Sequence, residues 1–165
     1  MAKKDKKKKK AKTEDPGHRR IAENRKARHK FEIAETLECG VALVGSEVKT
    51  LRDGKVSLEE SYARVRNGEV WLLGCDIPEY KNASIWNHDP KRPRKLLLRS
   101  REIRKFAGQA HEEGLTLVPL KLYFNARGLV KVQIGLCRGR KLHDKREALK
   151  QADVKRGLQR AMRQR

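Results

Sequence analysis

Ser61-Tyr-Ala-Arg-Val-Arg-Asn-Gly-Glu-Val-Trp-Leu-Leu-Gly-Cys-Asp-Ile77 decides the fold class. Two runs with strand character flank Asn67-Gly68, the residue pair best suited to a two-residue turn with positive φ at both central positions. This predicts a β-hairpin of Ser61–Arg66 and Glu69–Ile77, ended by Pro78. Working outward, His29–Glu35 alternates apolar and polar residues at Phe31 and Ile33 and predicts a half-buried strand. Glu38–Val44 predicts a second strand. Thr116–Asn125 and Leu129–Leu136 alternate in the same way and are joined by Asn125-Ala-Arg-Gly128, a second hairpin.

Helical signals are fewer. Ser46 is a candidate cap for Glu47–Arg52, where Val48 and Leu51 share a face and Gly54 ends the turn. Ser100 is a candidate cap for Arg101–Glu113, where Ile103, Phe106, Ala107 and Ala110 form an apolar stripe and Gly114 stops the helix. Residues 79–93, with Pro90 and Pro93 and Pro78 just before them, are expected to form a loop. Six short strands and about two short helices describe an all-β domain with flanking helices, either a closed Greek-key barrel or a small sandwich. Composition does not choose between them.

Charge divides the chain differently. Residues 1–30 carry 14 Lys and Arg against 4 acids, and residues 139–165 carry 10 against 3. The 108 residues between are close to balanced, with 18 against 14. A near-neutral domain with two cationic ends attracts a polyanion by counterion release and long-range steering, which makes nucleic acid the leading partner class. Residues 1–23 hold too few apolar groups to offset the entropy of ordering and are expected to be a disordered polybasic arm. The domain is then expected over 24–138, with 139–165 a basic tail. Asp144 could cap a helix there, but its apolar face (Ala148, Leu149, Ala152, Leu158, Ala161, Met162) is thin and Gly157 weakens it, so it is expected to fold only against a charged surface.

Enzymatic chemistry finds little support. The carboxylates are scattered, and the five histidines show no ligand spacing. Phosphate-loop, dinucleotide and nucleophile-elbow motifs are missing from the sequence. Cys39, Cys75 and Cys137 are isolated and odd in number, as suits buried apolar packing in a reducing cytosol rather than a disulfide framework or zinc site. No cofactor is implied. Asn87-His88-Asp89 is the one tempting acid–base cluster, and a loop tied by side-chain bonds to its own backbone is the plainer reading. No apolar run reaches the length of a membrane span, and no apolar stretch follows the first lysines as in a secretory signal.

Two clusters fit RNA better. Asn24-Arg-Lys-Ala-Arg-His29 is either a solvated basic linker or a binding segment. Lys91-Arg-Pro-Arg-Lys95 sets cations beside Leu96–Leu98, which would equally serve as a buried strand. The scarce aromatics mostly fit strand positions, which disfavours serial base stacking and favours recognition of a folded RNA by shape and phosphates.

At these residues the sequence resembles the SsrA-binding protein (small protein B) family. The matching stretches are 24–29, Gly45–Lys55, Ser61-Tyr62, Asn87–Leu98, Arg101–Ile103, Gly114–Phe124 and Arg138–Arg146, which fall in order along nearly all of 24–146. The resemblance implies a six-stranded antiparallel OB-type Greek-key β-barrel with flanking helices. It implies binding to the tRNA-like domain of transfer-messenger RNA and its delivery, with elongation factor Tu, to stalled ribosomes for trans-translation. On this reading Asn24, Glu38 and Leu97 lie in the RNA face, with Arg25, Lys26, Arg28, His29 and Lys95 beside them. The tail residues Gly139, Lys141, His143, Asp144, Lys145 and Arg146 would enter the small-subunit decoding centre and the empty mRNA channel. The far tail departs from family members that carry Trp near position 154, where this chain has Val154. The protein is expected to be a cytoplasmic monomer without membrane contact. The alternatives are a general single-strand or ribosomal-RNA-binding OB-fold protein without a dedicated RNA and, more remotely, a small nuclease built on His88 and Asp89.

Overall fold

A computed structural model of the chain describes residues 18–83, 87–112 and 114–140, together with the single positions Val154 and Met162, both exposed. The expected disorder of residues 1–17 and the expected tail helix otherwise lie outside the described residues. Among the described residues, seven strands and three helices follow in chain order: β1 (Arg19–Glu23), α1 (Arg25–Lys30), β2 (Phe31–Val41), α2 (Gly45–Arg52), β3 (Tyr62–Arg66), β4 (Glu69–Leu73), β5 (Arg94–Leu97), α3 (Ser100–Glu112), β6 (Thr116–Phe124) and β7 (Val130–Gly139).

The β3–β4 hairpin turns where Asn67-Gly68 requires it, with φ of 51° and 72° at the two residues. Every pairing is antiparallel, and the order β6–β3–β4–β5–β2–β7 returns to β6 through the β6–β7 hairpin. The result is the closed ring of six strands expected of an OB-like fold. Its narrowest seam is β3 to β6, a single partner pair, Ala63 and Leu117. Inside, Leu51, Leu72, Leu96, Phe106, Leu122, Val132 and Leu136 form one core. Each such side chain contributes on the order of 1.5–3 kcal/mol by leaving water.

The differences from the sequence reading have local causes. Arg19–Glu23 pairs with Lys121–Phe124 of β6 as the seventh strand, outside the ring, so the domain starts before Asn24 and the 1–23 arm is not wholly disordered. Ile21 and Ala22, two apolar residues among charges, are enough to pack against the core once β6 offers an edge. The two expected strands within 29–44 are one 11-residue strand whose register shifts between Ile33 and Glu35. Strand β4 ends at Leu73 rather than at Pro78. Leu96 is buried in β5, the strand that the Leu96–Leu98 run allowed.

Helix α2 starts at Gly45 with Val44 as its N-cap, and Glu47 closes the first turn by accepting from the Val44 N–H at 2.8 Å. Ser46 is therefore not the cap. Helix α3 includes Ser100, and Arg99 precedes it with its N–H on Glu102 Oε2 at 2.9 Å. Helix α1 was not legible as a helix. Its Ala27 packs with Val118, Leu120 and Cys137 in a second small core on the outer side of β6 and β7. That covering explains why Leu117–Leu120 is apolar without interruption, since both faces of β6 are buried.

Candidate nucleic-acid interface

Asn24 opens the first patch. Its Oδ1 accepts from the Ala27 N–H at 3.0 Å and caps α1, its Nδ2 donates to the Leu58 carbonyl at 2.8 Å, and its own N–H donates to Leu120 O at 2.8 Å. The side chain is buried. Buried and bonded through both its oxygen and its nitrogen, Asn24 serves as the bracket that fixes α1 against β6. What it positions is exposed: Arg25, Lys26, Arg28, His29 and Lys30 all face solvent. Lys26 pairs with Glu59 at 2.5 Å and Arg28 with Glu23 at 3.7 Å. Exposed pairs of this kind are weak enough for a phosphate to displace the carboxylate.

The same patch reaches the root of the tail. Phe31 lies opposite Gly139 in the β2–β7 register, and the Arg140 N–H donates to the Lys30 carbonyl at 3.1 Å. Lys141, His143, Asp144, Lys145 and Arg146 lie outside the described residues. Gly139 closes β7, so the tail leaves the domain beside α1.

Glu38, Lys95 and Leu97 meet elsewhere. They line one open cleft of about 750 Å³ with Gly40, Arg99 and Lys131. Phe31 to Glu38 is roughly 20 Å along β2, so the cleft and the α1 patch are separate surfaces. Leu97 is 54% exposed, and its Cβ stands 3.3 Å from where a Cβ on Gly40 would be. A Cβ at 40 would require the Leu97 side chain to shift by a few tenths of an ångström. An exposed leucine beside cations offers a sugar or base an apolar seat.

Glu38 is not left loose in this cleft. Tyr123 donates its hydroxyl to Glu38 Oε2, and Lys131 Nζ lies 3.4 Å from Oε1. Tyr123 and Lys131 are themselves direct partners across β6 and β7. The Tyr123 hydrogen bond holds the Glu38 carboxyl below its usual range against the opposing effect of burial, with Lys131 and His18 adding to it. Burial and the Glu38 contact push the Tyr123 phenol well above its ordinary value. The His18 ring packs on Tyr123 at 5.0 Å between centroids. A carboxylate kept ionised and aimed in this way can accept from a base amino group or a 2′-hydroxyl, which selects rather than attracts. Sequence reading missed Tyr123 and Lys131. Their only sequence signal is outward parity on paired strands.

The second basic cluster divides. Lys91 is exposed and Lys95 pairs with Glu69, but Arg92 and Arg94 turn inward. Arg94 is fully buried, donating Nε to Glu47 Oε1 at 2.8 Å and its terminal nitrogens to the carbonyls of Cys75, Pro90 and Arg92. Arg92 adds a fork onto Glu47 at 2.7 and 2.6 Å. Arg94 therefore joins α2 to β5 from inside the fold, and Arg92 braces the same carboxylate from the loop before β5. Burial would raise the Glu47 carboxyl, but bonds from Arg92, the Val44 N–H and Arg94 outweigh it and hold it below the usual range.

The Asn87-His88-Asp89 loop is tied as the plainer reading expected. Asn87 bonds the backbone of Tyr80 in both directions. His88 Nε2 faces the Ile77 carbonyl at 3.0 Å, which places the proton there and leaves Nδ1 to accept from Ser46 Oγ at 2.9 Å. Both ring nitrogens are occupied by structure. The three cysteines are buried and free. Burial lifts Cys39 to about 12 and Cys75 and Cys137 to about 11, far from a reactive thiolate at neutral pH. Among the described residues no helix is long and apolar enough to cross a membrane.

Most of the chain is similar to known proteins. The family model described as SmpB protein matches residues 21–164. An SsrA-binding protein from Rhodopirellula baltica is 59% identical over 143 residues, covering 87% of this chain and 81% of that protein. One from Thermosynechococcus vestitus is 55% identical over 146 residues, covering 88% and 95%. A solved structure described as "tmRNA-SmpB: a journey to the center of the bacterial ribosome" superposes with a TM-score of 0.64 at 51% identity, covering 78% of this chain and 93% of its counterpart.

Proposed function

The chain belongs to the SmpB protein family, and we propose that its α1 patch, its Glu38–Lys95–Leu97 cleft and its basic tail are three contacts of one adaptor. The protein binds transfer-messenger RNA and acts with it on the ribosome in the rescue of stalled translation. The observation that carries this is the extent of the family match, which runs through the folded domain and on to residue 164. One relationship thus accounts for both cationic ends. A general single-strand or ribosomal-RNA binder would require only charge, without the bracketed Asn24 helix and the oriented Glu38.

In mechanism, α1 presents Arg25, Lys26, Arg28 and His29 to phosphates of the tRNA-like domain. The cleft receives a sugar or base edge between Leu97 and Glu38, with Lys95 exchanging Glu69 for a phosphate. The tail, leaving beside α1 at Gly139, carries Lys141, His143, Asp144, Lys145 and Arg146 into the small-subunit decoding centre and the vacant mRNA channel. Elongation factor Tu joins the complex during delivery. No step breaks or makes a covalent bond, so the protein is an adaptor in the cytoplasm and not an enzyme.

Truncation after Arg140 tests this division, because it keeps β7 and the Arg140–Lys30 bond intact. The truncated protein is expected to bind transfer-messenger RNA as the full chain does and to lose tagging of nascent chains on stalled ribosomes. Loss of RNA affinity on truncation, or unimpaired tagging, contradicts it.

A further inference from the structure

The outer face of β3, β4 and β5 is unaccounted for by the two patches. Ala63, Val70, Leu72 and Leu96 point into the core, so the alternate residues point out. Register places Arg64 beside Trp71 and Trp71 beside Lys95 in one cross-strand row. The next row pairs Tyr62, 45% exposed, with Leu73. Arg64, Arg66, Trp71, Leu73 and Pro93 line an open cleft of about 740 Å³. Tyr62 and Trp71 both lie on this outward face, Tyr62 exposed and Trp71 half-buried.

From this geometry we infer that the β3–β4–β5 face is a second RNA site, which stacks unpaired nucleotides of transfer-messenger RNA on Trp71 and Tyr62 while Arg64 and Arg66 hold their phosphates. The inference rests on the function proposed above. Three observations support it. Charge is complementary, since Arg64 and Arg66 are exposed and, among the described residues, have no ion-pair partner. The surface is continuous with the first cleft, because Glu69 lines both and Lys95 stands between them. The aromatic spacing also fits, since diagonal neighbours on adjacent strands lie about 7–8 Å apart, within reach of successive bases of a splayed single strand. A duplex presents no free base faces to such a platform. The occupant is therefore an unpaired segment of the same RNA that the Glu38 cleft holds.

Full-length protein and full-length transfer-messenger RNA test the inference. In a Trp86→Phe background Trp71 is the sole tryptophan, and its emission is expected to be quenched on adding the RNA. Trp71→Ala in the otherwise native chain is expected to weaken binding about tenfold, with Trp71→Phe restoring most of it. Arg64→Glu, on an exposed side chain, checks the same face without touching the core. Unchanged emission together with unchanged affinity in Trp71→Ala and Arg64→Glu overturns the inference. So does quenching by ribosomal small subunits alone, or quenching that follows protein concentration without RNA and thereby assigns the face to a second copy. Failure of the unmodified chain to bind transfer-messenger RNA at all would instead remove the function on which the inference rests.

Discussion

Arg94 donates its Nε to Glu47 Oε1 at 2.8 Å, and neither side chain is exposed to solvent. The two residues lie 47 positions apart, on β5 and α2, and the contact locks the helix to the sheet. Removing Glu47 leaves the Arg94 charge buried and unmatched, and removing Arg94 leaves the buried Glu47 carboxylate with Arg92 as its one cationic partner. Arg94→Met and Glu47→Gln are each expected to cost about 3–5 kcal/mol in chemical denaturation. The double variant is expected to cost less than the two single losses added together, because neither charge remains stranded. Additive losses would contradict the pairing.

Acid should unfold the protein through the same contact. The Glu47 and Glu38 carboxyls titrate below their ordinary values in the folded chain. A depressed carboxylate contributes stability that is full above its unfolded value, near 4.3, and is lost as pH falls through the folded value. Denaturation midpoints are expected to be flat from about pH 7 to 5 and to fall below about pH 4.5, with a shallower fall in Glu38→Gln. A midpoint that rises on acidification would contradict this.

Tyr123 and Glu38 give a local test. Tyr123→Phe removes the bond that does most to depress the Glu38 carboxyl. Carboxyl-carbon NMR is expected to show Glu38 titrating at higher pH in Tyr123→Phe than in the native protein. An unchanged titration would assign the depression to Lys131 instead.

Asn24 and Arg25 are neighbours with opposite roles. Asn24→Ala is expected to lower stability by about 1–2 kcal/mol, as loss of a buried cap does, and to weaken RNA binding only through that loss. Arg25→Ala is expected to leave thermal stability unchanged and to reduce the salt dependence of RNA binding by about one unit of slope. Equal stability losses in the two would contradict the assignment.

The sequence was most legible where turn chemistry is explicit. Asn67-Gly68 admits one hairpin and the structure has it. The cysteines and the Asn87 loop also followed from composition and local bonding. Less legible was anything fixed by distant partners. Arg92 and Arg94 look like surface cations until Glu47, 45 and 47 residues away, turns them inward. Asn24 looks like an RNA contact until Leu58 and Leu120 are brought beside it. Helix α1 is too short and too basic to announce itself by periodicity, and it is held by the Asn24 cap and by Ala27 against the outer side of β6 and β7. Strand β1 was hidden because its neighbours are charged. Tyr123 and Lys131 acquire meaning only when β6 and β7 pair and set both against Glu38.

The central claim is that this chain has a dedicated RNA rather than a general affinity for polyanions. It is tested most directly by competition at physiological salt, with labelled transfer-messenger RNA displaced by unlabelled tRNA, by an unrelated structured RNA of similar length, or by itself. Self-competition is expected at concentrations at least tenfold lower than either competitor. Equal displacement by all three would contradict it and leave a cationic domain with no chosen partner.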